Sequence, residues 1–109
     1  MPVSMVTEQC KQINPALQAK LLAALAKVEL GWSRTQVEGV IGRPDFMEPS
    51  ANKAGDRSTG EVLYYAIQLC GKQPRVGSGD QFVALLFDSN GRLYAVEPEQ
   101  VSGVKRRAE

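Results

Sequence analysis

A chain of 109 residues, 43% apolar and 23% charged, has the size and composition of one globular domain with a core of useful size. Its net charge of +1 gives no long-range pull toward nucleic acid or acidic lipid. The lack of histidine removes Ser-His-Asp and Cys-His nucleophile arrangements, histidine metal sites and histidine acid–base work, and two cysteines are too few for a four-thiolate zinc site. No metal or cofactor is expected.

Residues 1–13 are expected to be a flexible N-terminal segment. No basic region followed by an apolar core stands at the start, so no leader is read. As it stands the chain reads as cytoplasmic, and as a bacterial envelope protein if a leader has been removed. Asn14-Pro15 opens a helix, with Asn14 as cap and Pro15 where its missing N–H is not needed. Leu17, Leu21, Leu22, Leu25 and Val28 follow helical spacing and predict a helix over 15–29, with Lys20 and Lys27 beside the stripe. Its polar face is too weakly basic for a membrane-surface helix.

The next stretch, Leu30 to Pro44, marks both ends of a second helix over 34–41. Ser33 is the N-cap and Gln36 stands at the reciprocal capping-box position. Trp32 and Val37 have the spacing of a hydrophobic staple, and Gly42-Arg-Pro44 closes the helix. Val37, Val40 and Ile41 form its apolar face. Residues 45–60 are rich in Pro, Gly, Ser and Asn and read as a loop, with a short fourth strand open at Asp45–Glu48. Asp45, Glu48 and Asp56 match no calcium-loop spacing and read as solvated carboxylates.

Three strands follow, at Glu61–Cys70, Gln81–Phe87 and Arg92–Glu97. The loop 71–80 lacks the glycine and Ser/Thr spacing of a phosphate loop. Asp88-Ser-Asn-Gly91 is a turn. A type I turn with a glycine bulge sets Phe87 opposite Leu93, whereas an Asn-Gly turn changes the register, and the sequence leaves both open. In the first register Leu63, Tyr65, Ile67, Leu69, Val83, Leu85, Phe87, Leu93 and Ala95 share the core face. Val62, Tyr64, Ala66, Gln68, Phe82, Ala84, Leu86, Tyr94 and Val96 share the other. The expectation is an α+β fold: two N-terminal helices on one face of a three- or four-stranded antiparallel sheet. A single domain over 14–98 would precede a polar, solvated tail at 99–109.

Two helices cover one face of such a sheet, so the second face, too apolar for water alone, is expected to dock a partner together with loops 45–60 and 71–80; the alternative is that these loops or the N-terminal segment fold over it. The candidate binding residues are Tyr64, Gln68, Arg75, Phe82, Leu86 and Tyr94. Aromatic anchors would carry the energy and Arg75 a polar contact. Cys10 and Cys70 form a candidate disulfide whose loop would bring about 4 kcal/mol in the chain-entropy model. Two unpaired thiols are the favoured reading, since no export signal is seen.

The segment Val28-Glu-Leu-Gly-Trp-Ser-Arg-Thr-Gln-Val-Glu-Gly-Val-Ile-Gly-Arg-Pro44 resembles the Gly-Met-Thr-x-x-Gln-Val-x-x-x-Leu-Gly-x-Pro signature of the BamE (SmpA/OmlA) outer-membrane assembly lipoproteins. Related signatures occur in the repeats of the beta-lactamase inhibitor protein. Gly31, Ser33, Gln36, Val37, Gly42 and Pro44 fall on that signature, with Trp32 where Met is usual. Tyr64-Tyr65 and Leu85–Leu93 resemble the strand pattern of the same group. The resemblance spans roughly residues 15–97 and implies a protein that binds other proteins without catalysis, using a concave sheet face. Thr7-Glu-Gln-Cys10 lacks the small residues and apolar run of a lipoprotein leader, which argues against membrane anchoring.

The leading expectation is a non-enzymatic interaction module that binds another protein or a second copy of itself. The alternative is a small-ligand binder with a pocket between helices and sheet. An enzyme ranks lower, because Asp56, Glu61, Asp80, Lys72 and the tyrosines form no recognisable arrangement. Nucleic acid is not an expected partner, as aromatics do not interleave with a basic stripe.

Overall fold

The computed structural model describes residues 10–51, 58–76 and 79–108. Its elements are β1 (Lys11–Gln12), α1 (Pro15–Lys27), α2 (Arg34–Ile41), β2 (Phe46–Ala51), β3 (Ser58–Leu69), β4 (Gln81–Phe87), β5 (Leu93–Glu99) and β6 (Arg107–Ala108). The fold is α+β: two helices and one antiparallel sheet. The sheet holds six strands rather than three or four, in the order β1-β3-β4-β5-β6, with β2 also on β3. The extra strands sit at its margins. β1 and β6 are two residues long, too short to show an alternating pattern.

Both helices begin as their caps dictate. The Ala16 amide donates to Asn14 Oδ1 at 2.7 Å. The Gln36 amide donates to Ser33 Oγ at 3.2 Å and the Ser33 amide to Gln36 Oε1 at 2.9 Å, closing the capping box. Gly42 ends α2 at φ 102°, a conformation that favours glycine. The Tyr65 hydroxyl donates to its carbonyl at 2.8 Å, tying the helix end to β3. Leu17 and Val40, expected on the apolar faces, are exposed, while Leu25, Val28 and Val37 are fully buried. A helix lying on a sheet buries only its contact line, which passes through those three.

The helix-side core joins Leu25, Val28 and Val37 to Leu63, Tyr65, Val83, Leu85, Phe87, Leu93 and Val96. Trp32, Leu21, Leu22 and Ile41 pack around them. The Asp88–Gly91 turn takes the register with Phe87 opposite Leu93. The Gly91 amide donates to Asp88 C=O and the Asp88 amide to Arg92 C=O, with Gly91 at positive φ. A second irregularity then reverses two assignments. Leu86 pairs with Ala95 and Leu85 with Val96, leaving Tyr94 as the extra residue of a bulge. Val96 therefore lies in the helix-side core and Ala95 on the opposite face.

Residues 45–51, expected mostly as loop, continue into β2, which pairs with β3 through Phe46↔Tyr64 and Glu48↔Val62. Residues 52–57, including Asp56, lie outside the described residues, as do residues 1–9 of the N-terminal segment. The expected solvated tail is also revised. Val101 and Val104 pack on the core, and β6 pairs with β5 through Ala95↔Ala108 and Val96↔Arg107. Arg107 Nη2 donates to Leu25 C=O at 3.1 Å, which also accepts the capping Val28 amide at 3.4 Å, and Nη1 donates to Val28 C=O, so the guanidinium closes the end of α1. The two cysteines, favoured as unpaired, are joined as a Cys10–Cys70 disulfide.

Two substitutions test this packing. A Cβ at Gly60, where φ is +143°, would stand 1.8 Å from the Phe87 carbonyl oxygen, which is backbone and has nowhere to go. Gly60→Ala is expected to cost about 3 kcal/mol or more in urea unfolding. Arg107→Ala removes the guanidinium donor from the Val28 carbonyl and leaves the Leu25 carbonyl only its long bond from the Val28 amide, and a loss of about 1–3 kcal/mol is expected in the same assay.

Candidate functional site

The sheet's second face carries the candidate site. Along β3 it shows Val62, Tyr64 and Ala66, after which a bulge at Ile67 shifts the register and pairs Gln68 with Gln81. Across β4 the register sets Leu86 opposite Val62, Ala84 opposite Tyr64 and Phe82 opposite Ala66. Across β5 it continues with Ala95, Glu97 and Glu99. Strand alternation selects the residues of β3 and β4, and the bulge at Tyr94 brings Ala95, Glu97 and Glu99 onto the same face. Tyr64 and Phe82 are diagonal neighbours, and their rings meet edge to face with centroids 5.6 Å apart at 72°. Such a pair adds about 0.5–1.5 kcal/mol to the area it buries.

This face is not the open apolar surface expected. Phe82 is only 3% exposed, and Val62, Ala66 and Ala84 are also buried, while Tyr64 and Leu86 are half-buried. Part of the loop after β3 and the C-terminal stretch stand around it, as the covering alternative anticipated for the loop. Gln73 and Pro74 line a recess with Tyr64, Phe46 and Met47. Val76 on one side and Pro98, Glu99 and Arg106 on the other flank a groove of ≈ 170 Å³ floored by Val62, Tyr64, Phe82, Ala84 and Leu86. The strap 70–76 is held by Asp80, which is 1% exposed. Its carboxylate accepts from the Cys70 amide and the Arg75 amide, both at 2.8 Å, and its backbone carbonyl from Gln100 Nε2. A buried carboxylate is tolerable when backbone donors surround it.

Of the predicted binding residues, Tyr64, Phe82 and Leu86 come together on the groove floor. Gln68 stands apart and donates to Gly79 C=O at 3.1 Å. Arg75 belongs to the strap, and Tyr94 occupies the β5 bulge; neither lines the groove. The rim residues Val76, Glu97, Glu99 and Arg106 were not anticipated. They come from a glycine-rich loop, a strand end and the tail, where no periodicity signals a shared surface. Val76 is 78% exposed, whereas Glu97 and Arg106 approach within 3.7 Å.

The carboxylates considered for chemistry serve the fold. Asp45 Oδ2 accepts from the Ala66 amide at 2.8 Å, and Glu48 Oε2 from the Tyr64 hydroxyl at 2.9 Å. Arg34 bridges Glu38 at 2.6 Å and Glu61 at 2.5 Å. The Glu38 hydrogen bond, with the charge of Glu61 adding to it, pushes the Arg34 guanidinium above its ordinary value. Lys72 is exposed on the strap.

Burial, and then the hydroxyl's bond to Glu48, push the Tyr64 phenol up to about 12. Burial first, with Glu38 and Asp45 adding and Arg34 opposing, moves Tyr65 the same way. Both phenols keep their protons in the folded protein where the unfolded chain, at about pH 10, gives them up. Their contribution to stability is full below pH 10 and is lost as pH rises from about 10 through 12. Melting temperature is expected to fall across that window, and Tyr64→Phe to flatten part of the fall.

Comparison with protein-family models, curated proteins and solved structures finds no match to this chain.

Proposed function

We propose that this protein is a non-enzymatic interaction module that docks another protein, or a second copy of itself, on the second face of its sheet. The observation that carries the reading is the groove of ≈ 170 Å³, with an apolar floor of Val62, Tyr64, Phe82 and Leu86 and an exposed Val76 at its rim. A floor already dry needs little further ordering when a side chain enters it, which favours binding. Glu97, Glu99 and Arg106 stand on the rim, so an apolar anchor with polar flanks suits the groove. The BamE-like signature points the same way, because members of that family bind proteins and catalyse nothing. The small-ligand alternative would have to use the margin of the helix–sheet contact, whose centre is filled by fully buried Leu25, Val28, Val37, Leu63 and Leu85; there Arg34, Gly60, Glu61, Phe87 and Asp88 line a recess of ≈ 310 Å³.

Val76 offers a clean test, since its exposed side chain contributes little to the fold. Val76→Asp is expected to keep the wild-type melting temperature within a degree or two, as surface substitutions usually stay within about 0.5 kcal/mol. It is expected to lower the solution mass seen by light scattering if the partner is a second copy. If the partner is another protein, recovery of co-purifying protein falls instead. Wild-type behaviour in both assays sinks docking through this groove.

A further inference from the structure

We propose that the Cys10–Cys70 disulfide is a redox clip for β1: reduction by a dithiol releases this strand and opens the edge of β3 between Ile67 and Leu69. β1 is two residues long and both are exposed. Its register sets Lys11 against Leu69 and Gln12 against Gln68, which carries Cys10 onto Cys70. The Ile13 amide donates to Ile67 C=O at 3.0 Å. Antiparallel alternation then makes 13/67 and 11/69 the hydrogen-bonded pairs, with 12/68 and 10/70 between them. At a 10/70 position the side chains face each other closely and the backbones do not bond. The Cys70 amide accordingly turns to Asp80 Oδ1.

Without the covalent bond little holds β1. What remains is a short ladder at the sheet margin and one half-buried side chain, Ile13. Short exposed ladders return less than the entropy of ordering the chain that makes them. Cys10 is exposed and Cys70 half-buried, so the bond is within reach of a soluble thiolate. One thiolate of the reductant attacks Cys10 Sγ and displaces the Cys70 thiolate. The reductant's second thiolate then attacks the mixed disulfide and displaces Cys10. Two electrons pass to the protein, each cysteine takes up a proton, and the reductant ends as a disulfide.

What reduction exposes is narrowly defined. β2 still covers β3 through Tyr64, Asp45 still holds the Ala66 amide and Asp80 still holds the Cys70 amide. Only the Ile67 carbonyl and the N–H and C=O of Leu69 lose partners. Such a gap is a template for an extended backbone.

Residue-resolved hydrogen exchange on the full chain, with and without a dithiol reductant, tests this. Exchange at Lys11, Ile13 and Leu69 is expected to quicken by about tenfold or more on reduction. Ala66, Cys70 and the amides of β4 and β5 are expected to hold steady. Unchanged exchange at Leu69 would mean β1 stays without its bond, and a general loss of protection would mean the disulfide supports the whole fold. Either overturns the proposal. The Cys10→Ser/Cys70→Ser double variant is expected to match the reduced protein and to ignore the reductant. A response to reductant in that variant overturns the clip equally.

Discussion

The constraint on which this structure rests is the backbone of β3. Twelve residues run through the middle of the sheet, and buried Val62, Leu63, Tyr65, Ala66 and Ile67 close both faces over its centre, so little of the backbone there can turn to water. β4 satisfies one edge along nearly its whole length. The other edge is shared by pieces from three places in the sequence, residues 45–51, residues 11–13 and Asp80. β2 takes the first half, the Asp45 carboxylate takes the Ala66 amide, Ile13 and β1 take the next carbonyl and pairs, and Asp80 takes the Cys70 amide. Two of these partners are carboxylates doing what a strand would otherwise do. An unpaired amide at either place costs about 1–3 kcal/mol, comparable to deleting a sizeable side chain from the core.

The helical layer is fixed to the far edge by the same kind of accounting. The link between α1 and α2 is stitched to β5, because the Gly31 amide donates to Leu93 C=O and the Leu93 amide to Trp32 C=O. β6 lies farther along that edge, and its Arg107 reaches back to the end of α1. Helix end, link, strand edge and C-terminal strand therefore depend on one another. This mutual support places Trp32 and Val37 over Leu93 and Phe87 in one core, which local helix signals could not do by themselves.

What the sequence disclosed was local. The capping box at Ser33 and Gln36, the Asp88–Gly91 turn and the alternation of Leu63 and Tyr65 each depend on residues a few places apart, and each was legible. The bulge at Tyr94 was not, since nothing in Arg92-Leu-Tyr-Ala-Val distinguishes a strand that slips by one from a strand that does not. That slip exchanged the faces of Ala95 and Val96. Asp80 was hidden for a similar reason: in a glycine-rich loop a buried acceptor and a solvated acid look alike. The site was half legible. Alternation found Tyr64, Phe82 and Leu86 for the floor, but the rim is assembled from a loop and a tail whose positions only the tertiary structure sets.

The two sheet faces solve the same burial problem with different materials, and the difference bears on function. On the helix side, amphipathic helices bring apolar side chains in bulk, and the contact is filled. On the other side a strap of mostly polar sequence arrives, held through backbone donors to Asp80 rather than by its own packing. Such a cover can shelter Phe82 without filling the space beside it, because its attachment is directional and its side chains are few. A groove left beside a buried aromatic is therefore a consequence of how the strap is anchored. Tightening it would take larger apolar residues around Val76, and the exposure of Val76 itself shows that the strap does not supply them.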